Sequence, residues 1–213
     1  IYEYNEIETS ENNYVRENFA DTFFSADDCS KIGYIREDIE KKYNNKEINY
    51  KEYSILITIL LYGMDRIANT VGHYDAYRKK IEFDKELYLG IMLPDKNLNK
   101  NNKCFNEDAT NLVKKIKCDL LYLDPPYNSR QYSDAYHLLE NIARWEKPKV
   151  FGIARKMDRK AIKSSYCTIE ATQKFRELIE NTNARYILLS YNNMSDKGND
   201  RSNAKISDEE VEK

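Results

Sequence analysis

Residues 119–128 read DLLYLDPPYN. An apolar run, Leu120 to Leu123, leads directly into Asp124, two prolines, Tyr127 and Asn128. The pattern predicts a strand that delivers a carboxylate to its C-terminal edge. Pro125 and Pro126 lack backbone N–H donors and have restricted φ, so the corner is stiff. An aromatic ring follows one residue later. A carboxylate, outward carbonyls and an aromatic face are the parts needed to hold a planar base that carries an amino group. A four-residue match of this kind arises by chance in roughly one chain in a thousand of this length. The plainer reading is a strand-ending turn with a polar cap.

Charge is segregated along the chain. The net charge is −2, but residues 1–50 hold twelve acids and six bases. Residues 144–163 hold eight bases (Arg144, Lys147, Lys149, Arg155, Lys156, Arg159, Lys160 and Lys163) against Glu146 and Asp158. A cluster of that density neutralises phosphates, or forms a solvated face. The hydrophobic content of 41% and charged content of 33% are those of a soluble globular protein. No apolar run approaches the roughly 18 residues that span a membrane, and no signal-peptide pattern opens the chain. Cys29, Cys104, Cys118 and Cys167 show no paired metal-ligand spacing, which argues against a zinc site or a disulfide framework. A reduced, cytoplasmic setting is expected, with no metal and no membrane partner.

Apolar periodicity predicts helices over 31–43 (Ile32, Ile35, Ile39) and 50–70 (Ile55, Leu56, Ile59, Leu60, Met64, Ile67). Shorter helices are expected at 108–117, 134–146 and 170–181. Strands are expected at 86–92, before Asp124, and at 185–191, where RYILLSY reads as a buried strand. The order strand, helix, strand after residue 118 indicates a parallel α/β sheet with ligands at the C-terminal strand ends. The chain divides into a mainly helical segment (1–85), an α/β core (86–193) and a polar, mobile tail (194–213).

The stretch NEDATNLVKKIKCDLLYLDPPYNSRQYSDAYHLLENIARWEKP, residues 106–148, resembles the Dam-like N6-adenine DNA methyltransferases of restriction systems. The resemblance continues through Ser165-Tyr166-Cys167 to YILLSYN at 186–192, and includes ANTVGHYDAYRKK at 68–80. It implies a partial Rossmann-like core with parallel strands that uses S-adenosylmethionine and acts on double-stranded DNA. A cognate restriction endonuclease is an implied partner.

By this resemblance Asp124, Pro125, Pro126 and Tyr127 are catalytic. Adenine's exocyclic nitrogen is a poor nucleophile because its lone pair is delocalised into the ring. Asp124 and a carbonyl of the Pro-Pro turn can accept from its two N–H groups, favour a tetrahedral nitrogen and free the lone pair. Tyr127 would stack on the flipped base. An aspartate in the first position goes with adenine N6 in the family's pattern. Asp108 and Ala109 resemble the site for the cofactor's adenine, with Asp124 beside them. Asp108 also reads as a helix N-cap, and both roles can hold at once. Asn128, Arg130, Gln131 and Tyr132 would shape the base pocket or meet the DNA backbone. Arg155, Lys156, Arg159 and Asn192 are the remaining DNA candidates. His137, between an expected helix start and Leu138-Leu139, reads as packed. His73 reads as either structural or DNA-contacting, and Trp145 as core or interface.

One family element is missing. The family's glycine-rich turn lets the backbone approach the methionine part of the cofactor. Here Gly33, Gly63, Gly72, Gly90, Gly152 and Gly198 are too widely spaced to build it. A fragment is therefore expected, with weak or no cofactor binding and with open sheet edges that favour self-association. The alternatives are a non-catalytic DNA-binding remnant, or an enzyme acting on adenine in RNA.

Overall fold

The computed structural model describes residues 1–80, 82–95, 97–98, 100–192 and 206. They fall into two units, each assembled from two stretches of chain: Ile1–Lys96 with Tyr132–Ala161, and Asn97–Gln131 with Ile162–Lys213. The polar tail expected from residue 194 lies outside the described residues except for Ile206.

The first unit is helical. Its N-terminal stretch forms α1 (Tyr2–Glu6), α2 (Tyr14–Phe19), α3 (Ala26–Asn44) and α4 (Tyr50–Ile67). Cap chemistry starts three of them. Asn13 accepts from the N–H groups of Val15 and Arg16, and Ser25 accepts from that of Asp28. Asn49 and Glu52 form a reciprocal capping box at α4. The expected apolar faces pack as read: Ile32, Ile35, Ile39, Ile59, Leu60 and Met64 are buried in one core with Phe19, Phe23 and Phe24.

Residues 86–92 correct the sequence reading. They are extended, but no described strand pairs with them. Leu87 and Leu89 are buried in the helical core, so the period of two is real. Side chains replace the missing ladder. The Leu87 N–H donates to Asp28 Oδ1 (2.9 Å) and the Leu89 N–H to Asn5 Oδ1 (2.8 Å). Asn5 Nδ2 donates back to the Leu89 carbonyl at 3.0 Å. Gly63 on α4 permits this close approach, since a Cβ there would lie 2.8 Å from Leu89 Cδ2 and 3.1 Å from the Tyr88 carbonyl.

The expected short helix at 108–117 is a single turn in the second unit, α5 (Ala109–Leu112). That unit's first strand is β1 (Cys118–Leu123). The chain then returns to the first unit, where the helix expected at 134–146 is broken. It forms α6 (Tyr132–Ala135) and α7 (His137–Arg144), with Tyr136 at φ −122° and ψ 20° between them. The break falls where the backbone of Tyr74 docks. Its N–H donates to the Ala135 carbonyl (2.7 Å), and the His137 Nε2–H donates to its carbonyl (2.8 Å). Arg36, fully buried, fastens the far end of α7. Its Nε donates to the Ile142 carbonyl (2.8 Å) and Nη2 to that of Ala143 (3.2 Å). A cation there also complements the helix dipole. Trp145 closes α7 in the left-handed conformation, φ 58°, with the Arg36 guanidinium 5.1 Å from its ring centre and its Nε1–H donating to Glu37 (2.9 Å).

In the second unit, α8 (Ala171–Glu180) precedes β2 (Ala184–Leu189). β2 pairs with β1 in parallel, and Leu121 faces Ile187 and Leu123 faces Leu189. Phe175 and Leu178 of α8 pack with Val113, Tyr166 and Ile206 against Leu121, Leu123 and Leu189. The opposite face, Leu120, Tyr122, Tyr186 and Leu188, is more than half exposed, which corrects the expectation of a buried strand at 185–191: among the described residues the pair is covered on one face only.

His137 gives the first unit a pH dependence. It is wholly buried, and burial lowers its pKa to about 4 against the raising effect of its bond to Tyr74. The unfolded chain takes up this proton below about pH 6.5. Stability from the neutral imidazole is therefore complete above that pH and is lost as pH falls toward 4. In urea titrations, the unfolding free energy of His137→Gln relative to wild type should shift by about 2 kcal/mol in the variant's favour between pH 7 and pH 5. A pH-independent difference would contradict this.

Candidate active site

β1 ends at Leu123, and its carbonyl accepts from the Ser190 N–H at 2.8 Å, one residue past β2. Asp124 and Ser190 therefore leave the pair side by side at its C-terminal edge. The Asp124 side chain is exposed, Pro125 and Pro126 are half-buried, and the Tyr127 ring is 38% exposed. The corner thus presents a carboxylate and a partly open aromatic face to solvent. Asn192 is exposed on the segment that continues from β2.

The chain after Tyr127 is held to the loop before α8. Asn128 Oδ1 accepts from the Arg130 N–H at 2.9 Å, an Asx turn that leaves the Arg130 side chain exposed. Gln131 is buried, and both ends of its amide meet the backbone of Ser164: Nε2 donates to its carbonyl (2.9 Å), and Oε1 accepts from its N–H (2.8 Å). The Cys167 thiol donates to the Arg130 carbonyl at 3.4 Å. Sequence reasoning missed this fastening by Ser164 and Cys167. The only signal was the SYC segment that follows Ser164, and the partners of Ser164 and Cys167 lie 33 and 37 residues away.

Asp108 is the N-cap of α5 and accepts from the Asn111 N–H at 3.1 Å. Ala109 is exposed beside it. Behind them the Tyr166 hydroxyl lies 3.5 Å from Thr110 Oγ1 and donates to the Lys174 carbonyl (3.2 Å), which ties α5 to α8. Burial first, and the Asp108 charge also, push the Tyr166 hydroxyl pKa up, against the lowering Thr110 bond.

Tyr132, Arg155, Lys156 and Arg159 belong to the first unit. Tyr132 is exposed, with its ring 6.0 Å from that of Tyr136. Lys156 pairs with Asp75 and Asp134, and Arg159 with Asp134 at 2.5 Å. Burial alone would raise the Asp134 pKa, but the Arg159 bond and the two neighbouring cations bring it below the usual carboxylate range. Asp75 also lies beside His73, whose Nδ1 accepts from the Asp75 N–H at 3.3 Å. Arg155 is exposed. Among the described residues, no group of three His, Cys, Asp or Glu side chains could hold a metal ion, and no helix is long and apolar enough to cross a membrane.

The chain matches a family described as D12 class N6 adenine-specific DNA methyltransferase over residues 1–195, and it belongs to that family. It is 43% identical over 175 residues to Modification methylase StsI of Streptococcus sanguinis, covering 80% of this chain and 26% of that protein. It is 38% identical over 173 residues to Type II methyltransferase M.FokI of Planomicrobium okeanokoites, covering 79% and 26%. Type II methyltransferase M.NlaIII of Neisseria lactamica is 37% identical over 176 residues, covering 80% and 51%. The chain thus spans about a quarter to a half of the length of these curated relatives. No solved structure matches it.

The Gln131 clamp can be tested alone. Gln131→Ala leaves the Ser164 N–H and carbonyl without their partner, which should cost about 1–3 kcal/mol in chemical denaturation. An unchanged midpoint would show that the clamp does not hold the segment.

Proposed function

We propose that this chain is the part of a DNA methyltransferase that carries the catalytic corner, and that it acts on the N6 amino group of an adenine flipped out of double-stranded DNA. The relatives' names support a place beside a restriction endonuclease. The observation that carries the reading is the corner itself: Asp124, Pro125, Pro126 and Tyr127 directly follow a strand of a parallel pair, where the α/β fold binds ligands. A partial Rossmann-like core is the fold this implies.

Asp124 accepts from one N–H of the target amino group and a turn carbonyl accepts from the other. These bonds strengthen as the nitrogen becomes tetrahedral, so they lower the barrier more than they tighten ground-state binding. The rigid prolines hold the acceptors in place before the base arrives, and Tyr127 stacks on the extruded ring. S-adenosylmethionine supplies the electrophilic methyl when bound. The exposed carboxylate of Asp108 suits that cofactor's adenine amino group, with Ala109 beside it and Asp124 at the reacting end. The fit is partial, because the described residues of this unit include no glycine and so no turn for close backbone approach. That observation favours a second reading, a DNA-binding chain that does not catalyse by itself. Asn128, Arg130, Gln131, Tyr132, Arg155, Lys156, Arg159 and Asn192 stay with the DNA-facing role in this proposal. The clamp and ion pairs make Gln131, Lys156 and Arg159 positioning residues within it. The exposed face of β1 and β2 supports self-association of the isolated chain.

Transfer of labelled methyl to mixed-sequence duplex DNA tests the reading. Where the wild type places label in N6-methyladenine, Asp124→Ala should lose about 10²-fold or more in rate while still binding DNA. Equal rates would overturn the role of Asp124. DNA binding with no transfer by either protein would favour the second reading.

A further inference from the structure

The segment between α7 and α8 contains a feature that neither the core nor the catalytic corner explains. Phe151 and Lys156 exchange both backbone bonds, N–H to carbonyl, at 2.8 and 2.9 Å, and close a tight hairpin. Inside it the Arg155 N–H donates to the Gly152 carbonyl at 3.2 Å. Gly152 and Arg155 both have positive φ, at 71° and 52°. For arginine that conformation is uncommon and strained, and such strain concentrates at functional sites.

The base of the hairpin is anchored within its own unit. Lys156 pairs with Asp75 and Asp134, Arg159 holds Asp134, and the Met157 side chain is buried. The remaining apolar side chains are open: Ile153, in the turn, is 77% exposed, and Phe151, across from Lys156, is 63% exposed. Leaving two such side chains in water forfeits about 1.5–3 kcal/mol each, so folding does not account for them. Their surroundings are basic, since Lys149 and Arg155 are exposed and hold no ion pair among the described residues. A firmly based apolar hairpin flanked by cations matches the chemistry of a wedge that enters a DNA groove. The exposed cations beside the two apolar side chains complement the phosphates that border a DNA groove.

We propose that the Phe151–Lys156 hairpin is a DNA wedge: Phe151 and Ile153 insert between base steps and unstack them, while Arg155 and Lys149 contact the flanking phosphates. The inference rests on the reading of the chain as DNA-acting and adds to it a second point of contact, on the helical unit. It also separates the basic cluster into two parts. Lys156 and Arg159 hold the finger in place, and Arg155 and Lys149 meet the DNA.

The test compares wild type, the double variant Phe151→Ser with Ile153→Ser, and Arg155→Gly. Binding to duplex DNA is measured over a range of salt, and unstacking is read from 2-aminopurine placed at successive positions. The altered side chains are exposed, and glycine suits the positive φ at 155, so thermal unfolding should be unchanged in all three. The double variant should weaken binding about tenfold or more, abolish the fluorescence rise seen with wild type, and keep its salt slope. Arg155→Gly should reduce the salt slope by about one. A double variant that binds within about twofold of wild type with the full fluorescence rise overturns the wedge and leaves the methyltransferase reading intact. The same holds if the double variant changes only self-association in sedimentation, which would make the hairpin a protein contact. A wild-type chain that binds no duplex at any salt overturns both.

Discussion

The parallel register of β1 and β2 is the constraint on which the candidate site depends. Because Leu123 faces Leu189 and the Ser190 N–H donates to the Leu123 carbonyl, the two strands end together. A shift of one residue would turn Leu121 and Leu123 away from α8 and place Leu120 and Tyr122 against it. The corner after β1 would then emerge at a different height and with its side chains reversed. Burial of Leu121, Leu123 and Leu189 against Phe175 and Leu178 therefore fixes where Asp124 is presented. Packing on one face of the sheet sets chemistry at its edge.

The helical unit uses a different device. A buried guanidinium, Arg36, joins α3 to α4 and α7 by bonding the Ile142 and Ala143 carbonyls, Glu40 and the Tyr53 hydroxyl. Removing a buried charge's partners is expensive, so each of these groups is held by the others. The left-handed Trp145 is stabilised in the same cluster, with its ring also edge-on to Tyr14 at 6.1 Å. The basic segment begins directly after this residue. Its course thus starts from a fixed point rather than from a frayed helix end.

Much of the fold was legible from periodicity. The long apolar faces of α3 and α4, the α8 face and the existence of the two strands read correctly because each is local, but the burial expected at 185–191 did not follow, since Tyr186, Ile187 and Leu188 are exposed. The packed state of His137 was legible for the same reason, since it adjoins Leu138 on an apolar face. The extended segment at 86–92 was half legible. Its alternation was visible, but its partners are the side chains of Asn5 and Asp28, more than fifty residues away, and no local pattern encodes such pairing. The break at Tyr136 was invisible for a related reason, because it answers to the backbone of Tyr74. At the site, the strand and its Asp-Pro-Pro-Tyr corner could be read directly. The pair of hydrogen bonds between Gln131 and Ser164 could not, because an amide side chain carries no mark that tells a backbone clamp from a base contact. Charge counting likewise could not separate Lys156 and Arg159, which hold carboxylates, from Arg155, which does not.

The central claim is that a base extruded from DNA comes to rest on the corner that follows β1. Photo-cross-linking tests it most directly, with 5-iodouracil replacing the target adenine in duplex DNA and the attached residue located by mass spectrometry. The account predicts attachment at Tyr127, lost in Tyr127→Leu while DNA binding persists. Attachment confined to tyrosines of the helical unit, with Tyr127 unmodified, would contradict it.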